Sequence, residues 1–448
     1  MSCIGQPRRD AVTLVRQFGL APFRRLLSPD DFAVVAQRSG CTPERRRPLI
    51  PEVVAWLMMY VALLTTSMTQ GLQLAWGVIR AICPALREPP VTEEAFGNAR
   101  NELPWRFWAG LWNLLQTRYL HTFDSALRWK GLLVVGGDGT AVDLPNVPAV
   151  VRRFGRPKNG KTQRPQPQGR LVALCSVFTG WCWAFAFMPL RLTEHQALQH
   201  LTRTLRRGML LLLDRGFFAY VSLWQIRQRH AHFLVRLSRQ ATGFAKRRQR
   251  LGTYDWLVEF RPSEAIRRGR PQLPKTFVYR LIRYHRSGFR VSWLLTSLTN
   301  PHRFTRNELV DLYHRRWTLE TLFREWKHTL DIRNLRSHTP AGLFKEIQAQ
   351  LILHQLTRWL MTEAAQGTTH LPLQFSFRTT LALVKNAMLI MRRSRPDEWS
   401  HLYDQLLADI RGAPIRQRPG RTYPRPGDTR IKNRGHGKRQ LPAKLKAA

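Results

Sequence analysis

Short, nearly unbroken apolar runs mark the middle of the chain, at residues 132–135, 171–178, 181–188 and 209–213. Runs of this length bounded by polar turns predict strands buried on both faces, and a helical period over residues 219–230 follows the fourth. Strands paired in sequence and then alternating with a helix predict a mixed α/β sheet. Three more strand-like stretches, 232–237, 254–260 and 276–284, are separated by turns rich in Arg, Gly and Pro. They predict a β-rich insertion over residues 231–290, after which the α/β unit resumes with the apolar run 291–298. Residues 1–125 read as helical and rich in Trp and Leu, and the pattern turns helical again beyond 298. The chain thus divides into an N-terminal helical region (1–125), a first core part (126–230), the insertion (231–290), a second core part (291–365), C-terminal helices (366–411) and a tail (412–448). No internal repeat is visible.

Composition narrows the function. The chain has 448 residues, 44% of them hydrophobic, enough for a large core. Its 72 Lys and Arg against 29 Asp and Glu leave a net charge of +43, an excess that a polyanion must offset. Nucleic acid is the partner that fits, because neutralising phosphates releases counterions and drives binding. A coding bias toward Arg would replace Lys but would not remove acids. The basic stretch Arg45, Arg46 and Arg47 and the tail add to the same picture. From Ile415 to Ala448 there are eleven Lys or Arg and one acid, Asp428, which predicts a disordered basic arm. The apolar run 53–64 is shorter than the ~20 residues of a membrane span, so it predicts a buried helix. No secretory signal opens the chain. Five scattered cysteines, Cys3, Cys41, Cys83, Cys175 and Cys182, show no metal-ligand spacing and read as reduced thiols of a cytoplasmic protein.

Residues 305–330 predict one helix. Thr305 and Glu308 form a capping box at its start. At about 100° per residue, Tyr313, Arg316, Glu320, Arg324 and Lys327 share one stripe. Leu312, Leu319, Phe323, Trp326 and Leu330 form the adjacent core-facing stripe. A carboxylate set among cations suits a phosphodiester: the cations hold phosphate oxygens and the carboxylate holds a metal. An exposed face with ordinary i,i+4 pairs, such as Glu320 with Arg324, would show the same spacing.

Two more acids stand at the ends of predicted strands, Asp138 in Gly137-Asp138-Gly139-Thr140 and Asp214 in Asp214-Arg215-Gly216-Phe217. Strand ends of open α/β sheets are where ligands collect. Three carboxylates from two strands and a helix suit two Mg²⁺ ions, one at the attacking oxygen and one at the leaving oxygen. Each Asp alone would read as a turn or cap residue.

Tyr313, Arg316, Glu320 and Lys327 reproduce the Y-x2-R-x3-E-x6-K pattern of the insertion-sequence-four family of bacterial transposases, without gaps. The Asp138-Gly-Thr and Asp214-Arg-Gly-Phe segments resemble that family's first and second acidic motifs. The resemblance spans roughly residues 132–330, with a looser likeness over residues 23–80 to the family's N-terminal domain. It implies an RNase H-like core whose metal ligands are Asp138, Asp214 and Glu320, with Mg²⁺ as the ion and Mn²⁺ able to substitute. It implies DNA contacts by Tyr313, Arg316 and Lys327, with Arg324 on the same stripe. Trp317 and Trp293 fall where the family carries aromatics that stack on an extruded base during hairpin formation. The implied activity is cut-and-paste transposition in the bacterial nucleoid, on terminal inverted repeats and target DNA, with a homodimer on DNA. The N-terminal region would bind the ends and the helices of 366–411 would serve dimerisation. One departure is Gly136 and Gly137 before Asp138, unusual inside a strand, with Asp143 near enough to compete as ligand.

Other signals are weaker. Residues 155–162 match the phosphate-loop pattern G-x4-G-K-[ST], yet Pro165 and Pro167 prevent the helix that mechanism requires, so nucleotide binding is not expected. Glu325 falls about 140° around the helix from Glu320. Glu194 and His195 read as a helix start. Two other functions remain open to the same core: a DNA nuclease without strand transfer, and a non-enzymatic DNA-binding protein derived from a transposase.

Overall fold

The computed structural model describes residues 21–41, 49–64, 67, 69–74, 92–159, 162–286, 289–391 and 393–415. The stretch Arg45–Arg47, the tip of the phosphate-loop-like segment at Gly160 and Lys161, and the basic tail beyond Ile415 lie outside these residues, as do Cys3 and Cys83. The strands are β1 (Leu132–Asp143), β2 (Gln168–Ser176), β3 (Cys182–Pro189), β4 (Met209–Leu213), β5 (His232–Leu237), β6 (Lys246–Gly252), β7 (Asp255–Phe260), β8 (Phe277–Tyr284) and β9 (Ser292–Thr296). They form one mixed sheet in the order β3-β2-β1-β4-β5-β9-β8-β7-β6, with the short strand Arg128–Trp129 added beside β1. β4 runs parallel to β1 and to β5, and the other pairings are antiparallel.

The strands of residues 231–290 extend this sheet. β5 pairs directly with β4, and β9 returns to pair with β5 while β8, β7 and β6 carry the sheet outward. The buried pair Arg280 and Asp255 ties β8 to β7, with Arg280 Nε 2.8 Å from Asp255 Oδ1. Arg280 Nη1 also donates to the Phe304 carbonyl at 2.6 Å, so the outer strands hold the loop that leads to the next helix.

That helix is α7 (Arg306–His314), followed by α8 (Thr318–Arg324). The capping box forms: Thr305 N donates to Glu308 Oε2 at 3.1 Å and the Glu308 N–H points back to Thr305 Oγ1. Lys130 Nζ donates to the same Glu308 carboxylate at 2.7 Å, and Lys130 with Thr305 pulls its pKa down to about 2. Alternation along the strands decides what α7 covers. Leu132, Val134, Leu210, Leu212, Leu234 and Leu294 share one face of the sheet and pack with Leu309, Val310, Leu312 and Tyr313. The other face belongs to the main core.

The remaining helices build that core. α9 (Pro340–Ala365) is buried nearly all round, its buried Lys345, Glu346 and Arg358 each held by a polar partner. It packs against α2 (Pro51–Leu64), α4 (Trp105–Leu127), α10 (Phe377–Met391), α11 (Trp399–Arg411) and β3. The run 53–64 is thus the buried helix its hydropathy predicts. No described helix is long and apolar enough to cross a membrane.

Candidate active site

Asp214 follows the last residue of β4, but Asp138 does not end its strand as expected: β1 continues to Asp143 against β2, and Asp138 stands where its parallel pairing with β4 stops. Register between β1 and β4 runs to Gly137 opposite Leu213, so the next residue on each strand is the acid, with strands about 4.8 Å apart. Asp214 keeps an extended backbone (φ −76°, ψ 167°), so both carboxylates project from the face that α7 and α8 cover.

Gly136 lies two residues before Asp138 on that same face. A Cβ at 136 would come 2.6 Å from Leu319 Cδ1 and 3.2 Å from Val177 Cγ1. Leu319 immediately precedes Glu320 on α8. The absent side chain is therefore the recess that seats the helix carrying the third acid. At Gly137 a Cβ would meet Leu213 Cδ2 at 2.8 Å on the opposite face. The glycines are a packing requirement of this part of β1 and not a weakness in it.

Asp138 is half-buried and both its oxygens are engaged. Oδ1 accepts from the Gly139 N–H at 2.8 Å and Oδ2 from Arg316 Nη1 at 3.2 Å. Burial pushes its carboxyl above the usual range; Asp214 and Glu194 push the same way, against the Gly139 N–H and Arg316. Arg316 is only 8% exposed and interacts with Asp214 as well as Asp138, its guanidinium 6.0 Å from the centre of the Tyr313 ring. Two carboxylates this close and partly out of water require a cation. Arg316 supplies it in the protein alone. The donors are hard carboxylate oxygens, the type Mg²⁺ takes, although among the described residues no three His, Cys, Asp or Glu side chains converge tightly enough to hold an ion.

The uniform helix expected over residues 305–330 does not form. A tight 3₁₀ turn, Arg315–Trp317, separates α7 from α8, and a π turn, Glu325–Thr329, follows α8. Each changes the angle per residue, so the expected stripe is split. Tyr313 and Arg316 are buried, Glu320 and Lys327 half-buried, and Arg324 exposed. Glu325 turns inward to pair with the buried Arg358 of α9, which removes it as an alternative to Glu320. Asp143, about 16 Å along β1 from Asp138, accepts from Gln168 Nε2 at 2.6 Å and faces Lys327.

The family model described as "Transposase DDE domain" matches residues 136–356, a span that holds Asp138, Asp214, Glu320 and the whole four-residue signature. The transposase InsG of insertion sequence element IS4 from Escherichia coli (strain K12) is 25% identical over 411 residues, covering 89% of this chain and 90% of its own. The chain belongs to the DDE transposases of the insertion-sequence-four family. A cryo-EM structure of the piggyBac transposase synaptic complex with hairpin DNA aligns at a TM-score of 0.40 with 10% identity, over 98% of this chain and 91% of that one.

The transposase places its two singled-out tryptophans apart. Trp317, 55% exposed, follows Arg316 in the 3₁₀ turn. Trp293 lies on β9 beside Leu295, on the face turned away from α7, where it packs 6.1 Å from Trp256 and under Arg283. Two features were not apparent in the sequence. Arg236 is in register beside Asp214, because Leu213 pairs with Val235 and each next residue faces the same way. Its Nη2 donates to Ser292 Oγ at 3.2 Å. A lone arginine in the apolar stretch Phe-Leu-Val-Arg-Leu was the available signal. Glu194, at the start of helix α5 (Glu194–Leu201), is held by Arg170 Nη1 at 2.8 Å. A Cβ on Gly139 would lie 3.0 Å from Glu194 Oε1, so this fourth carboxylate stands behind the part of β1 that carries Asp138.

Proposed function

We propose that this transposase works by cut-and-paste: it excises its element by phosphodiester hydrolysis and transesterification on an RNase H-like core and joins it to target DNA. The observation that carries the reading is Asp138 on β1 beside Asp214 at the end of β4, where the two parallel strands part, with α8 and its Glu320 seated against β1, in a chain of net charge +43. Asp138, Asp214 and Glu320 would hold two Mg²⁺ ions, with Mn²⁺ able to substitute. Bound there, the ions supply the charge that activates the attacking oxygen and stabilises the leaving oxygen.

The chain's own residues position the DNA. Arg316 and Arg236 flank the two aspartates and are placed to receive the non-bridging oxygens of a phosphate. Tyr313, buried with its ring 6.0 Å from the Arg316 guanidinium, would support that arginine at the phosphate. Arg324 and Lys327 extend the cationic track along the helix. Trp317 offers an exposed ring for a displaced base, a contact worth about 1–3 kcal/mol in other systems, as a hairpin route of second-strand cleavage needs. Trp293 would reach a base only from the opposite face of the sheet. The partners are the element's terminal inverted repeats and target DNA in the bacterial nucleoid, with two copies of the chain pairing two ends.

The test is incubation with duplexes carrying the element's own ends, in Mg²⁺ or EDTA, followed by pre-cleaved ends with a plasmid target. Nicked and joined products are expected in Mg²⁺ alone. Asp138→Asn, Asp214→Asn and Glu320→Gln should each lower them by more than about 100-fold, beyond what loss of an outer-shell partner causes. Cleavage that persists in EDTA defeats the metal reading. Cleavage without joining reduces the protein to a nuclease, and variants as active as the parent reduce it to a DNA-binding protein.

A further inference from the structure

We propose that Arg316 is a built-in cation that keeps the aspartate pair closed to divalent metal until a DNA phosphate takes its guanidinium. The proposal rests on the metal-dependent reading above and adds a control to it.

Three observations carry it. Each oxygen of Asp138 already has a donor, Gly139 N–H at Oδ1 and Arg316 Nη1 at Oδ2. Arg316 is 8% exposed, so its charge is directed at the aspartates and away from solvent. Its backbone is fixed in the 3₁₀ turn between α7 and α8, and α8 is seated in the Gly136 recess. Any release must therefore come from rotation of the long side chain, with the helices staying in place.

Charge counting gives the direction. Asp138, Asp214 and Glu320 contribute three negative charges and Arg316 with Arg236 two positive ones, so the DNA-free set carries −3 + 2 = −1, against −2 once Arg316 turns away. A dication added while Arg316 is in place meets a weaker attraction and must displace a buried ion pair. A phosphate arriving first offers Arg316 a bidentate partner in exchange for Asp138. It leaves the aspartates negative and ready for metal. By reciprocity, metal at the aspartates must then strengthen DNA binding by the same factor. The consequence is a nuclease centre that does not assemble away from DNA.

The experiment is titration of the full chain with Mn²⁺, followed by electron paramagnetic resonance of the free ion, with and without a duplex carrying the element's end. Asp138→Ala protein gives the background held by DNA alone. Arg316→Gln removes the charge but keeps a donor for Asp138 Oδ2, and Arg316→Ala removes both; thermal unfolding checks that each folds, and Gln suffices if Ala does not. Without DNA, Asp138-dependent Mn²⁺ binding should be at least about tenfold tighter in these variants than in the parent. The tightening that DNA gives the parent should largely vanish in them. Equal DNA-free affinity in the parent and Arg316→Gln overturns the proposal. Absence of Asp138-dependent Mn²⁺ binding in every protein, with DNA or without, overturns the metal-dependent reading itself and the proposal with it.

Discussion

At Gly136 one methyl group would reach 2.6 Å from Leu319 Cδ1 and 3.2 Å from Leu319 Cγ, so the two positions form a single packing unit. Gly136→Ala should cost about 1–3 kcal/mol by overpacking. Because α8 must move to admit the methyl, end cleavage should fall by up to about 10²-fold. Trimming the neighbour, Leu319→Val, should recover part of both losses. Urea unfolding of the two single variants and the double variant checks this; strictly additive losses would show that the residues do not share the recess. Arg236 makes a second residue-level case. Arg236→Ala should lower kcat/KM for end cleavage by roughly 10–100-fold, comparable to loss of a supporting partner at a metal site. Arg236→Lys should recover only part, since an ammonium cannot make the planar two-point contact. Full activity in Arg236→Ala would remove it from the site. Such roles are hard to read in sequence. Arg316 meets Asp138 across 178 positions, and Gly136 looks like a liability until Leu319 is beside it.

At the scale of elements, what could be read were features closed within a few residues. The capping box of Thr305 and Glu308 marks the start of α7 without any knowledge of the fold, and the apolar runs locate β1 and β4 because strands buried on both faces leave no polar positions. The register that aligns Asp138 with Asp214 has no local signal, nor does the π turn. Glu325, its first residue, pairs with Arg358, 33 positions away, whose side chain is 1% exposed. Gly180, at φ +75°, makes room for it, since a Cβ there would lie 2.9 Å from Arg358 Nε. Arg358→Met should therefore leave Glu325 buried and unpaired and cost about 3–5 kcal/mol. Converting the pair together, Glu325→Leu with Arg358→Met, should restore most of that stability. If the π turn is needed to aim Lys327, the double variant will regain stability but not cleavage. Cleavage that returns along with stability would make the turn a packing feature only.

Across the whole molecule, α9 draws the N-terminal helices, strand β3 and the C-terminal helices into one core, and over this core the chain spreads a net charge of +43. Charge of that size implies DNA affinity that falls steeply with salt, each neutralised phosphate adding about 0.9 to the slope of log K against log salt. The segment Arg416 to Ala448 carries eleven Lys or Arg and one acid, a net of 11 − 1 = 10 charges. If that segment lies along DNA, a chain ending at Ile415 should show a slope shallower by several units and by no more than about nine. Binding of the truncated chain at 50 mM salt should weaken most, and the difference should narrow toward 200 mM as screening grows. Cleavage at saturating DNA should be unchanged, because every acid of the row and both flanking arginines remain. Fluorescence anisotropy over a salt series, with the element's end and with a random duplex of equal length, measures both slopes. A slope unaltered by truncation would assign the whole phosphate contact to the folded surface.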